Sequence, residues 1–376
     1  VLLAITRGFR DALTIGTQDR PDIFARHIVR ARPLQAETLE IDERVAADGS
    51  VIRPLGRDTA LAGLKAARAR GIKAVGIVLM HGYRHPAHEA ALADLAREAG
   101  FEEIAVSHRV AALVKLIGRG DTTLVDAYLS PILRGYVDRL TTMLGGEQAP
   151  LFMQSTGGLT AASVFRGKDA ILSGPAGGIV GMAQTSERAG FDRVIGFDMG
   201  GTSTDVSLYA GRYERDSETI VAGTRIRTPM LRIHTVAAGG GSVCRFEAGR
   251  FVVGPESAGA VPGPACYRRG GPLTVTDCNL ILGKLHPDAF PSVFGADGDE
   301  PLDRDAADQR MAELLAAIAR ETGKDMSPED AATGFVSIAV AGMANAIRTV
   351  SVARGHDVTR FALACFGGAG GQHACL

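Results

Sequence analysis

The stretch that most constrains this chain is Arg193-Val194-Ile195-Gly196-Phe197-Asp198, then Met199-Gly200-Gly201-Thr202-Ser203-Thr204-Asp205, then Val206-Ser207-Leu208-Tyr209. An apolar run ending on an acid, a glycine pair and an alternating return segment predict strand, tight turn and antiparallel strand. Glycine lacks the Cβ that would keep backbone N–H groups from a phosphate, and threonine and serine hydroxyls add neutral donors. Two acids frame the turn. Aspartates beside phosphate repel it unless a cation intervenes, so Asp198 and Asp205 are expected to partner a hydrated Mg²⁺ and to serve as catalytic carboxylates. Gly200, Gly201, Thr202, Ser203 and Thr204 are the expected nucleotide contacts. A glycine pair alone is more often a plain hairpin turn; the flanking Asp and Thr residues favour the phosphate reading.

Other nucleotide signatures are absent: the sequence has no G-x-x-x-x-G-K-[ST] and no G-x-G-x-x-G after a strand. A second glycine run, Cys365-Phe366-Gly367-Gly368-Ala369-Gly370-Gly371, follows the apolar stretch from Phe361 to Ala364. Gly367, Gly368 and Gly370 are expected to pass over an adenine or ribose, although a glycine cluster by itself is equally a structural turn.

Composition bounds the partners. Lys plus Arg number 41 and Asp plus Glu 42, a net charge of -1 with no basic stripe, which argues against nucleic acid. The apolar stretch Ile72 to Met80 is far shorter than the ~20 residues of a membrane span, so a soluble, cytoplasmic protein without a membrane segment is expected. Five widely spaced cysteines without a CxxC pair suit reduced thiols. The 376 residues are enough for two domains. The chain starts at Val1 and breaks off after a glycine-rich run, which reads as a piece of something longer.

Along the chain, Asp58 to Arg70 predicts a helix with Leu61, Leu64 and Ala67 on one face, Ile72 to Met80 a buried strand, Pro86 to Ala99 a second helix, and Phe101 to Ser107 another strand. Asp121 or Thr122 is expected to cap a further helix, with Pro131 kinking or restarting it. Asp277, a candidate catalytic residue, follows Thr274-Val275-Thr276 and precedes Asn279, a polar cluster read as the end of an alternating strand facing the nucleotide cleft or binding substrate, unless Asp277 is a turn or helix cap. His234 and Glu256 flank glycine turns and are candidate general bases for an attacking water. His81, His85 and His88 cluster after the strand ending at Met80, but Pro86 and the lack of H-E-x-x-H favour structural or substrate-side roles over a metal. The Cys365, His373 and Cys375 group matches no zinc spacing and is read as buried cysteine.

The strand-GGT-strand hairpin, preceded by a small-residue helix and followed by a glycine-rich strand end, resembles the actin, sugar-kinase and heat-shock chaperone ATPase superfamily. That resemblance implies a two-lobed α/β, RNase H-like fold with ATP between the lobes. More specifically, Ile171-Leu172-Ser173-Gly174-Pro175-Ala176-Gly177-Gly178, the segment from Gly196 to Tyr209, and Thr235-Val236-Ala237-Ala238-Gly239-Gly240-Gly241-Ser242 look like the hydantoinase A/oxoprolinase family. The 5-oxoprolinase branch is favoured by Gly8-Phe9-Arg10-Asp11, Arg20-Pro21-Asp22-Ile23-Phe24, Val125-Asp126-Ala127-Tyr128-Leu129, Gly254-Pro255-Glu256-Ser257-Ala258-Gly259-Ala260, Gly271-Pro272-Leu273-Thr274-Val275-Thr276-Asp277 and Ala353-Arg354-Gly355-His356-Asp357.

The resemblance implies opening of 5-oxo-L-proline to L-glutamate with ATP cleaved to ADP and phosphate, Mg²⁺ and often K⁺ being required. It also implies a first phosphate loop upstream of Val1, so that the first lobe is truncated, and a hydantoinase B-like domain or subunit; self-association is expected. Residues 1–110 would be the rest of an N-terminal domain and 120–376 the central ATP-binding domain, incomplete at its end. An N-methylhydantoinase, a ketone carboxylase subunit and a non-catalytic actin-like nucleotide switch are the alternatives.

Overall fold

The computed structural model describes residues 1–17, 22–28, 32–145 and 150–376; Arg20 and Pro21 of one motif lie outside them. Two compact units emerge, Val1–Gly177 with Arg215–Leu231, and Gly178–Glu214 with Arg232–Leu376. The boundary expected between 110 and 120 falls inside the first of these. Both units are α/β.

The first unit holds a parallel sheet of β1 (Leu2–Thr6), β2 (Glu37–Ile41), β3 (Ala74–Val78) and β4 (Glu103–Val106), in the order β2-β1-β3-β4. Every residue of β1 and β3 is buried, which is why these strands read as unbroken apolar runs rather than alternating ones. Between β2 and β3 runs α1 (Arg57–Ala69), burying Ala60, Leu64 and Ala67; α2 (Ala87–Glu98) precedes β4 and buries Leu92, Leu95 and Ala96. Both helices follow the 3.6-residue period of the sequence. Leu61, expected on the inner face of α1, is only half-buried, and Ala60 takes its place.

The next helix differs from expectation. It is α3 (Leu116–Met143), entered through Lys115, so Asp121 and Thr122 lie inside it and cap nothing; Pro131 also lies within it, and the helix does not restart there. Its N-terminal half is buried from Gly118 to Ala127 apart from the half-buried Asp121, and this packing, rather than a capping residue, sets where the helix starts.

Buried polar groups tie the strand ends together. Glu89, fully buried, accepts from the backbone N–H groups of Leu79 and His108, the Ser107 hydroxyl and His108 Nδ1. Arg119, also fully buried, donates to Ser107 Oγ and to the Leu79 and Leu113 carbonyls. Glu43 accepts from Thr6 Oγ1 and pairs with His88 Nδ1 at 2.8 Å. Two of the three loop histidines thus take structural partners: His88 goes to Glu43, and His85 Nε2 to the Ala47 carbonyl at 3.2 Å.

In the second unit a mixed sheet has the order β7-β6-β5-β10, from β5 (Arg193–Met199), β6 (Thr204–Ala210), β7 (His234–Val236) and β10 (Ala362–Phe366); α4 (Ser173–Arg188), whose residues from Gly178 on belong here, precedes it. β5 and β6 form the expected antiparallel hairpin, β6 pairs antiparallel with β7, and β10 runs parallel to β5. Beside them stand the hairpin β8 (Ser242–Glu247) and β9 (Arg250–Ser257) and the helices α5 (Val275–Ile281), α6 (Arg304–Thr322) and α7 (Pro328–Val350).

The sequence reading overlooked the apolarity of α7. By length and composition Pro328–Arg354 is long and apolar enough to cross a membrane, but one face, carrying Ala331, Phe335, Ala339, Met343, Ala346 and Val350, is buried in the core of this unit with Val206 and Leu208 of β6. Ser327 caps its first turn by accepting from Asp330 N, with Pro328 at the first helical position.

Candidate functional site

The hairpin turn is held from behind by two further glycine segments. Gly200 N donates to the Ser203 carbonyl at 3.0 Å, closing the turn; Gly240 N and Gly241 N donate to the Gly200 and Gly201 carbonyls at 3.1 and 2.6 Å; Ala369 N donates to the Met199 carbonyl at 2.9 Å. Backbone approaches backbone so closely that side chains are excluded. A Cβ on Gly239 would sit 2.6 Å from Thr202 C and 2.7 Å from Ser203 N, and one on Gly367, at φ +83°, would sit 2.5 Å from both Asp198 Oδ1 and the Met199 carbonyl. Gly201 is the opposite case: a Cβ there meets nothing within 4 Å. The turn therefore presents an open glycine outward while its inner side is packed.

Sheet parity decides which side chains share a face. Asp198 pairs with Asp205, and Asp205 with Thr235, so these three project to the same side; Val206 pairs with Phe197 and His234 on the other, core side. Thr235 Oγ1 donates to Asp205 Oδ1 at 2.6 Å. Gly178 of α4 covers this face; a Cβ on it would lie 3.5 Å from Asp198 Oδ2. Burial, and then the charge of Asp205, push the Asp198 carboxyl above its usual range. Two carboxylates facing each other on one side of the hairpin suit a divalent cation.

Beside the turns is a cavity of about 180 Å³. Gly201, Gly240, Gly241 and Gly368 line one part of it, Tyr267, Leu285, Phe290 and Leu302 supply apolar wall, and Thr276 and Gln372 are among its polar residues. A glycine-lined wall continuous with an apolar slot can take an elongated ligand with a charged end and a flat apolar end.

Several expected site residues lie elsewhere. Thr204 is fully buried on the core side, and its hydroxyl donates to the Ala238 carbonyl, so it offers nothing to a ligand. His234 shares that core side, across the sheet from the Asp198–Asp205 pair. Glu256 is exposed and pairs with Arg245 Nη2 at 2.7 Å; that hydrogen bond holds its carboxyl below the usual range, opposite to what a general base requires. Asp277 stands on α5, not on a strand. It is fully buried in a capping box with Thr274 and accepts from Ala265 N and Cys266 N at 3.1 and 2.9 Å, so its lone pairs fix the loop. Gly370 packs inward, where a Cβ would lie 2.7 Å from Cys365 Sγ. The Cys365, His373 and Cys375 group also departs from expectation: both cysteines are exposed and His373 is the buried member. Tyr267, Phe290 and Gln372 were missed because segments far apart in sequence bring them to the cavity, whereas Thr276, on α5, belongs to the polar cluster expected to face a cleft.

The model of the hydantoinase/oxoprolinase N-terminal region matches residues 1–100, and that of hydantoinase/oxoprolinase matches residues 119–376. The chain belongs to the hydantoinase/oxoprolinase family. It is 45% identical to 5-oxoprolinase 1 of Arabidopsis thaliana, matching 100% of this chain and 32% of that protein, and 41% identical to the 5-oxoprolinase of Saccharomyces cerevisiae over 98% of this chain and 31% of that protein. The chain thus spans about a third of the length of these curated relatives. Among solved structures, the ATP-dependent caprolactamase from Pseudomonas jessenii superposes with a TM-score of 0.80 at 34% identity, covering 100% of this chain and 55% of that one. A nucleotide-free acetone carboxylase gives 0.80 at 25% identity, over 99% of this chain and 54% of the other.

Proposed function

We propose that this chain supplies the nucleotide-gripping part of an ATP-dependent cyclic-amide hydrolase, opening 5-oxo-L-proline to L-glutamate with release of ADP and phosphate. The observation that carries this reading is the pair Asp198 and Asp205 on one face of a hairpin whose glycine turn adjoins the cavity. Gly200, Gly201, Thr202 and Ser203 would surround the phosphates, and Gly367 and Gly368 would border the nucleoside. Identity of 40–45% to several 5-oxoprolinases supports the substrate class.

Mg²⁺ fits the two carboxylates. Among the described residues no group of three or more His, Cys, Asp or Glu side chains could hold a metal, and Mg²⁺ commonly takes one or two carboxylates and keeps its waters. Bound there, it would offset charge on the transferred phosphoryl group. The chain's own residues do the rest by positioning: the packed glycines hold the turn rigid, and the Thr235 hydroxyl fixes Asp205.

A lactam is a resonance-stabilised amide with a poor leaving group, and phosphorylating its oxygen removes both obstacles. The lactam oxygen attacks the γ-phosphorus and the bond to ADP breaks. Water then adds to the phosphorylated carbon, the C–N bond breaks and nitrogen takes a proton. A second water attacks the acyl carbon, and phosphate leaves with the original lactam oxygen. A hydantoinase B-like domain or subunit is proposed as the partner, in keeping with a caprolactamase relative that is called subunit alpha, together with self-association.

The test is ATP cleavage by the protein that carries this chain, offered 5-oxoproline, hydantoin and acetone in turn with its hydantoinase B-like partner. Glutamate and ADP formed together from 5-oxoproline are expected; turnover of hydantoin or acetone with no glutamate from 5-oxoproline would refute the substrate.

A further inference from the structure

We infer that Gln372 reads the base of the bound nucleotide, offering its amide N–H pair to an acceptor nitrogen of the ring, and that Asn279 is the positioning residue that holds the amide in that sense. The inference deepens the nucleotide reading above and rests on it.

Gln372 lines the cavity, half-buried, at the end of the glycine-rich turn. Its Oε1 accepts from Asn279 Nδ2 at 2.7 Å, and the same Nδ2 lies 3.0 Å from His373 Nε2. Asn279 is fully buried and His373 only 4% exposed. Burial and the charge of Lys284 lower His373 to about 4, so the ring is neutral and one nitrogen can accept.

An amide can be turned over, so the orientation must be argued from the network. With Nδ2 directed at Gln372 and His373, both Asn279 N–H groups are used. What stays unpaired is Asn279 Oδ1 and His373 Nδ1, an acceptor and a single N–H. Turned over, Asn279 would bury both of its N–H groups without a partner, the worse outcome. Asn279 therefore fixes Gln372 Oε1 toward the protein, and the N–H pair is the end available to a ligand. Beside the apolar wall of Tyr267, Leu285, Phe290 and Leu302, that donor meets a flat ring bearing an acceptor nitrogen.

The test is an atom-level cycle on the protein that carries this chain, with binding of ATP and of 1-, 3- and 7-deaza-ATP measured calorimetrically. Each analogue replaces one ring acceptor by C–H. Wild type should bind one of the three about tenfold more weakly than ATP. Gln372→Ala should bind ATP about tenfold more weakly and no longer distinguish it from that analogue. Asn279→Asp has only acceptors to offer Gln372; it should turn the glutamine amide over and lose the same discrimination, with Gln372→Ala deciding alone if that variant does not fold. Unchanged ATP affinity in Gln372→Ala, or a deaza penalty that survives in it, overturns the assignment. Failure of wild type to bind ATP at all overturns the nucleotide reading of the whole site, and the two failures are thereby told apart.

Discussion

Gly201 and Gly239 lie on the two sides of the same turn and should respond differently to one added methyl group. At Gly239 a Cβ would fall 2.6–2.8 Å from backbone atoms of Gly201, Thr202 and Ser203, none of which can move without moving the loop. Overpacking of this kind costs about 1–3 kcal/mol, and a domain of this size shifts by about 2–4 °C per kcal/mol. Gly239→Ala should therefore melt several degrees lower and bind ATP poorly because the turn is displaced. At Gly201 a Cβ meets nothing within 4 Å and φ is not left-handed, so Gly201→Ala should keep its stability within about 0.5 kcal/mol. Its methyl group would stand where phosphate approaches, and ATP affinity should still fall by about tenfold or more. Thermal unfolding and calorimetric titration of the two variants side by side make the comparison. If Gly201→Ala binds ATP as wild type does, phosphate does not contact this turn and the argument from glycine is refuted.

Asp198→Asn removes a carboxylate whose pKa is raised by burial and by Asp205; a raised acid loses stability as pH climbs through its folded pKa, so above that range the variant should be more stable than wild type while losing Mg²⁺-dependent ATP binding, measured by denaturation and titration with and without Mg²⁺. Asp121, raised to about 6 mainly by burial, follows the same sign: its contribution is intact below about pH 4 and lost through pH 6, so Asp121→Asn should gain on wild type between pH 5 and 8 in urea unfolding, by at most about 3 kcal/mol. Glu89→Ala strips the acceptor from Leu79 N, His108 and Ser107 and leaves Arg119 without its nearby negative charge, which should destabilise the first unit by about 3–5 kcal/mol; an unfolding midpoint within a degree of wild type would contradict that role.

The hairpin was legible because its signals are local: a glycine pair, alternation and terminal acids within one short run. The same alternation, counted back from Asp205, already places Thr204 on the core side; His234 stands on a separate strand, and its side follows only from its pairing with Val206. Thr274 to Asp277 reads as the end of an alternating strand, although T-x-x-D before an apolar run is a helix-start pattern. The expectation for α3 failed differently, since burial of Gly118 to Ala127, apart from Asp121, starts that helix without a capping residue. The wall of the cavity had no local signature, because Tyr267, Phe290 and Gln372 meet there only through the tertiary fold.

If ATP activates the lactam oxygen, an isotope reports on that atom directly. With 5-oxoproline labelled with ¹⁸O in the ring carbonyl, turnover by the protein that carries this chain should release phosphate bearing one ¹⁸O for each glutamate formed. Unlabelled phosphate, with the isotope retained wholly in glutamate, would contradict it.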